Sequence, residues 1–311
     1  MNDYLISFCV LLSLMLLYLQ LAKKYNIFDV PNHRSSHTSI IVRGGGVIFP
    51  IALLLAYFLF DFQYKWFVGS VFILSLVSFL DDLYSLSSII RFFIQCLVAF
   101  LLLFELDLIR PLILLPFLIF LIVGGLNAFN FMDGINGLTA LYSVVSLGSL
   151  YYINQSILFI DSGFILIPLI GVIIFSFFNV RDRALCFAGD VGSISIGAII
   201  LFLLFKLVIH TQDYFYFLIL LVYAFDSLAT ILKRKFKGEN IFKPHREHLY
   251  QQLVHKKEWT HLQASLLFVT VQLVVNCSVL FEVSDCWVFF TVFLVMIFYI
   301  SGLNYVTKSE K

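Results

Sequence analysis

"LLPFLIFLIVGGLNAFNFMDGING", residues 114–137, decides how this chain is read. Its first half is continuously apolar, and its second half sets Asn127, Asn130, Asp133 and Asn136 at intervals of three, with Gly134 and Gly137 among them. Unpaired backbone groups are costly in hydrocarbon, so such a run is expected to be a helix whose polar end lies where it meets water. The spacing would align Asn130, Asp133 and Asn136 on one helical face. They would offer a carboxylate and two amide oxygens, the hard donors that Mg2+ takes, or would instead cap the helix that follows.

The rest of the chain repeats the pattern. Of its 311 residues 61% are hydrophobic and 13% charged, with 36 Phe, against roughly 25% charged in a soluble domain. The runs are continuously apolar and lack the short polar/apolar alternation of barrel strands, which favours helices over a membrane barrel. The fold expected is an all-α polytopic integral membrane protein forming one domain over 1–311. About eleven transmembrane helices are expected, near 4–21, 46–60, 66–80, 90–105, 112–128, 138–153, 158–179, 193–210, 214–232, 262–281 and 287–305. The first run lacks the basic start and small-residue cleavage site of a secretory signal and is expected to stay as an anchor. The five cysteines show no metal-ligand spacing and read for the most part as small buried apolar residues, with a Cys277–Cys286 disulfide near the outer surface as the alternative.

Lys and Arg give the orientation. With loops assigned alternately to two sides, Lys65, Arg110 and Lys206 fall on one side and the other seventeen Lys and Arg on the opposite one. The crowded side is expected to be cytoplasmic, the N-terminus periplasmic and the C-terminus cytoplasmic. The polar stretches "DVPNHRSSHTSIIVRGGG" (29–46), "DDLYSLSSIIR" (81–91), "NAFNFMDGING" (127–137), "RDRALCFAGDVGS" (181–193) and "KPHREHLYQ" (243–251) all fall on that cytoplasmic side. The outer loops are short and plain.

Each cluster admits a functional and a structural reading. Asp81 and Asp82 suit a divalent cation or a base, or else simply end a span. Asp190, between Gly189 and Val191–Gly192, suits metal and phosphate at a helix start, or caps that helix. Phe187 suits stacking on a base, or core packing. His245, Arg246 and His248 suit phosphate neutralisation and proton handling, whereas the neighbouring lysines are accounted for by topology and acidic headgroups. Asp226, about two turns inside its span, needs a partner, with Arg234, Lys233 or a bound cation as candidates.

At these residues the sequence resembles the polyprenyl-phosphate N-acetylhexosamine-1-phosphate transferases, relatives of phospho-N-acetylmuramoyl-pentapeptide transferase. The likeness runs from "DVPNHRSSHTSIIVRGGG" through "DD", "NAFNFMDGINGL" and "FAGDVGS" to "PHREHLYQQL". The resemblance implies transfer of a sugar-1-phosphate from a UDP-N-acetylhexosamine, of GlcNAc, QuiNAc or FucNAc type, to undecaprenyl phosphate in the bacterial inner membrane. It implies Mg2+, with Mn2+ as the substitute, held by Asn130 and Asp190. Asp81, Asp82, Asp133, His245 and His248 take catalytic places, and Arg91, Asn127, Phe187, Arg246 and Asp226 take substrate-binding ones. The spelling "PHREHLYQ" is similar to the branch that starts O-antigen or capsule chains. A homodimer is compatible with this reading, and no nucleic-acid partner is expected. One departure stands out: many relatives show DGxDG in the third loop, where this chain has Asn136. From another class, a transporter or flippase of an anionic lipid is the alternative; it would place ionisable groups at mid-membrane.

Overall fold

The structure, a computed structural model, describes residues 2–31, 40–110, 112–240, 246–281 and 285–307. These residues contain twelve α-helices: α1 (Asn2–Lys24), α2 (Ile48–Leu59), α3 (Lys65–Tyr84), α4 (Ser88–Glu105), α5 (Leu115–Met132), α6 (Leu138–Ile157), α7 (Gly163–Asn179), α8 (Gly189–Thr211), α9 (Leu221–Phe236), α10 (Leu249–Lys257), α11 (His261–Leu280) and α12 (Asp285–Thr307). A two-residue antiparallel pair, β1 (Phe28–Asp29) with β2 (Ile41–Val42), is the one sheet among the described residues.

Among the described residues, eight helical segments are long and apolar enough to cross a bilayer. They are α1, α3, α4, α5, α8, α11, most of α12, and α9 together with the 3-10 stretch before it. The protein is thus a polytopic all-α membrane protein. The other apolar stretches expected to span are shorter helices at Gly45–Leu59 and Gly163–Asn179, and α6, which carries Ser143, Ser146, Ser149 and Asn154 in its buried face. The twelfth helix, α10, lies within the last polar loop; Leu249, Tyr250 and Leu253 are its buried apolar residues and His255, Lys256 and Lys257 form its last turn.

Layering follows from apolarity. Helix α8, "SISIGAIILFLLF" beyond its first turn, is apolar on all sides, and 89% of its spanning window is buried against 22% for α1, α5 and α12. It is the central post, with α2, α3, α5 and α6 packed round it, as expected of a helix without a polar face. At its start the contact is closest with residues 43–46. A Cβ on Gly46 would sit 2.2 Å from the Cα of Gly192, and the Gly45 and Gly46 N–H groups donate to the carbonyls of Phe187 (2.8 Å) and Ala188 (3.1 Å). No side chain fits between these backbones.

Seven helix ends converge as a result. The C-terminal ends of α3, α5 and α7 and the N-terminal ends of α4, α6, α8 and α11 are tied by polar contacts at one end of the bundle. At the other end Glu105 accepts the N–H of Trp66 (2.6 Å) at the start of α3, and Lys206 lies over the ring of Tyr64 at 4.7 Å. Asp190 and Lys206 are sixteen residues apart on one helix, about 24 Å at 1.5 Å per residue.

Gly46→Ala is expected to cost about 1–3 kcal/mol, because the atoms it meets are backbone and cannot turn aside. Gly69→Ala, where a Cβ meets nothing within 4 Å, is the matched control. Thermal melting in detergent should lower the first variant and leave the second at or above the parent.

Candidate active site

Asp81 and Asp82 stand in the last turn of α3, which Ser85 ends with a left-handed φ of 52°. Though adjacent, their carboxylates do different things. Asp81 accepts the Leu86 N–H on Oδ1 (2.6 Å) and Arg91 Nη1 on Oδ2 (2.9 Å), and the same Nη1 lies 3.8 Å from Asp190 Oδ2. Asp82 accepts the Asp190 N–H on Oδ1 (3.1 Å) and the Val191 N–H on Oδ2 (3.2 Å), while Arg43 Nε meets Oδ1 at 2.8 Å. Asp82 therefore caps α8 from a different helix, supplying the acceptor and negative charge that a helix N-terminus favours. Asp190 does not cap its own helix: the helix begins at Gly189, and its open N–H groups are taken by Asp82.

Freed from capping, Asp190 turns its carboxylate to α5. Asn130 Nδ2 donates to Asp190 Oδ1 (2.8 Å) and to Ser193 Oγ (3.3 Å). The expected alignment of Asn130, Asp133 and Asn136 does not occur. Helix α5 ends at Met132, Asp133 sits at its C-cap with ψ 52°, and the chain turns before Asn136. Asn136 is buried away from Asn130. Its amide donates to the carbonyls of Arg181 (2.9 Å) and Asp182 (3.3 Å), its N–H to His261 Nδ1 (3.2 Å), and its carbonyl accepts the Ser265 hydroxyl (2.9 Å). An amide does here what a carboxylate cannot, which is to donate to two carbonyls. Nor does any side chain cap α6; its N-cap is Gly137, whose N–H donates to Asn179 Oδ1 (2.8 Å).

Asp133 remains at the mouth, half-buried, and burial raises its carboxyl to about 7, the Asp82 charge adding to the rise. Asn127 donates to Gln95 Oε1 and to the Val123 carbonyl, both at 2.8 Å, so its amide joins α5 to α4. Phe187 is half-buried, and its backbone pairs with Val42 and Gly45.

The last loop folds over the end of α5. The Tyr250 hydroxyl donates to the Phe131 carbonyl (2.7 Å) and lies where a side chain on Gly134 would be. Asp226 needed a partner, and the structure corrects which: Arg234 is engaged with Glu239 (3.0 Å) and the Asn240 carbonyl (2.8 Å), and Lys233 with Glu247 (3.1 Å). The partner is His248, whose Nδ1 lies 2.5 Å from Asp226 Oδ2, while the Leu249 N–H donates to Oδ1 (3.0 Å). Asp226 is 0% and His248 2% exposed, so the pair is closed inside the fold and ties the last loop to α9. Arg246 is half-buried in the same loop; His245 lies outside the described residues.

Three carboxylates (Asp81, Asp82, Asp190) thus face two guanidiniums (Arg43, Arg91), leaving one negative charge. Among the described residues no group of three His, Cys, Asp or Glu could hold a metal alone. The donors at hand, the Asp190 carboxylate and the Asn130 amide, fit Mg2+, which takes one or two protein oxygens and completes its shell with water and substrate phosphate. Asn130 would turn its amide over to present oxygen. Residues that sequence reading passed over are Arg43, counted only as a topogenic charge, and Gln95, Ser193 and His261, whose partners lie 32 to 125 residues away.

Fold and site together define a multi-pass membrane protein with an acid-rich centre at one end of its helix bundle. Residues 64–208, which hold Asp81, Asp82, Arg91, Asn130, Asp133 and Asp190, match the family model described as glycosyl transferase family 4. A probable undecaprenyl-phosphate N-acetylglucosaminyl 1-phosphate transferase of Bacillus subtilis (strain 168) is 26% identical over 325 residues, covering 95% of this chain and 88% of the relative. An undecaprenyl-phosphate alpha-N-acetylglucosaminyl 1-phosphate transferase of Yersinia pestis is 28% identical, covering 80% and 74%. A phospho-N-acetylmuramoyl-pentapeptide-transferase of Enterococcus faecalis (strain ATCC 700802 / V583) is 34% identical over a shorter stretch, 46% of this chain and 44% of the relative.

Asn136→Asp is expected to lower stability by about 1–3 kcal/mol, since two donated bonds are lost and a buried carboxylate meets two carbonyl oxygens; the melting temperature reads it. For Asp133 the raised folded value means that the native state binds the proton more tightly than the unfolded chain does. Its contribution is full below the ordinary value of 3.8 and is lost as pH rises through about 7. Melting temperature measured from pH 5 to 8 should fall with a slope that Asp133→Asn reduces.

Proposed function

We propose that this protein transfers an N-acetylhexosamine-1-phosphate from a UDP-sugar to undecaprenyl phosphate, releasing UMP and leaving a lipid-linked diphosphate sugar. The observation that carries the reading is the contact between Asn130 at the end of α5 and Asp190 at the start of α8, beside Asp81, Asp82 and Arg91. The activities named for the relatives support it. The bundle end bearing these groups is the cytoplasmic one, with the N-terminus outside, the C-terminus inside and eleven crossings; the Lys and Arg distribution supports this topology.

The step is an in-line displacement. An oxygen of the lipid phosphate attacks the sugar-proximal phosphorus of the donor; the bond to the UMP oxygen breaks, and UMP departs with that oxygen and its charge. Asp190 and Asn130 would hold Mg2+, or Mn2+ in its place, which when bound supplies neutralisation of the donor diphosphate. Arg91, spanning Asp81 and Asp190, is poised to turn to an incoming phosphate. Asp81 is the acid nearest the acceptor, because Asp82 is committed to α8. The last loop, tied to α9 by His248 and Asp226, covers the donor with Arg246, and Phe187 supports its base. The donor sugar is of the GlcNAc class that the relatives' names suggest, with QuiNAc and FucNAc as variants that fit the last-loop spelling; such a product begins an O-antigen or capsule chain. Transport or flipping of an anionic lipid gains no support from Asp226, the one deeper acid, whose carboxylate is closed by His248 and Leu249.

Purified protein given undecaprenyl phosphate and UDP-GlcNAc, UDP-QuiNAc or UDP-FucNAc should release UMP with one of them. EDTA should abolish release and Mg2+ restore it. Asp190→Asn should lower the rate about 100-fold or more, as loss of a metal-bound charge does. Absence of UMP with every donor, in protein that retains its fold, overturns the reading.

A further inference from the structure

Asp82 is almost completely buried, its side chain 1% exposed, between two other carboxylates. A buried charge in such company is stable only when paired. Its one ion-pair partner among the described residues is Arg43, Nε to Oδ1 at 2.8 Å. Arg43 arrives on a fixed backbone: its N–H donates to the Ile27 carbonyl (3.2 Å), and its carbonyl accepts the Tyr18 hydroxyl (2.6 Å). Gly44 follows in a left-handed turn (φ 76°) and Gly45 and Gly46 pair with residues 187 and 188. The guanidinium, the Asp82 carboxylate and the Asp190 and Val191 N–H groups in the first turn of α8 thus form one chain of contacts, and the next side chain along it is Asp190, turned to Asn130.

We infer that Arg43 is a positioning residue for the transfer reaction: by keeping Asp82 paired on the N-terminus of α8 it fixes the first turn of that helix, and with it the direction of the Asp190 carboxylate. The inference rests on the proposed transfer for its kinetic consequence, but not for its structural one. Remove the guanidinium, and the Asp82 carboxylate loses the contact that pins it from the side of residue 43; it is free to turn from the helix start, and its hold on the Asp190 and Val191 N–H groups weakens. Lysine restores the charge without the planar, directed N–H that meets Oδ1, so rescue is incomplete.

The test uses the full chain in detergent with Arg43→Met, Arg43→Lys and Asp82→Asn, read by hydrogen exchange and by steady-state UMP release. Arg43→Met and Asp82→Asn are expected to speed exchange of the 189–193 amides about five- to tenfold, as loss of a helix cap does, with the 203–211 end of α8 unchanged. kcat for Arg43→Met should fall about tenfold or more while donor KM stays within about threefold, the pattern of an interaction felt after binding; Arg43→Lys should lie between. Unchanged 189–193 exchange in Arg43→Met overturns the inference. If donor KM then rises with kcat kept, Arg43 is instead a direct donor contact. Should Arg43→Met loosen the whole chain, Arg43→Lys decides by the same local comparison. If the parent releases no UMP, the transfer reading fails while the exchange result still judges the link from Arg43 to α8.

Discussion

The site depends on a carboxylate from one helix closing the start of another. Asp82, at the end of α3, accepts two N–H groups at the start of α8, and α8 is the post round which the bundle packs. Free N–H groups at a helix start are costly where water is scarce, so the cap stabilises the post and joins the loops of α3 and α8. Because Asp82 performs this task, Asp190 in the first turn of α8 is free to face α5. One electrostatic requirement thus both holds the fold and releases a functional group.

Charge balance extends the same logic. Asp81, Asp82 and Asp190 gather where the dielectric is low, and Arg43 and Arg91 offset two of the three. The remaining negative charge suits a divalent cation, and a bound cation would in turn free Arg91 from its long contact with Asp190. The arrangement is one that a diphosphate and a metal could enter together without leaving any acid unpaired.

The third-loop motif shows how like residues part company. Asn130, on the last turn of α5, faces Asp190; Asn136, six residues on, ties the loop to the carbonyls of Arg181 and Asp182 and to His261. Gly134 lets Tyr250 pack against the turn between them. Asp226 and His248 behave alike: a buried pair that fixes the last loop so that its neighbours can cover the mouth.

The sequence by itself determined the class of fold and the cast of the site. Uninterrupted apolar runs can satisfy their backbones in lipid only as helices, and acids, amides and histidines in so apolar a chain stand out against it. The family resemblance, not the spacing, put Asn130 and Asp190 together, and their side chains are hydrogen-bonded in the structure. What the sequence could not determine was which partner each polar group takes, because that depends on helix ends meeting across long intervals. Asp82 reaches α8 across 108 residues and Asn136 reaches His261 across 125. The break of α5 at Asp133, Asp226 turning to His248 rather than Arg234, and Arg43 serving Asp82 were decided by tertiary packing. A carboxylate or amide pairs with whatever donor the fold brings within about 3 Å, and local spacing carries no record of that.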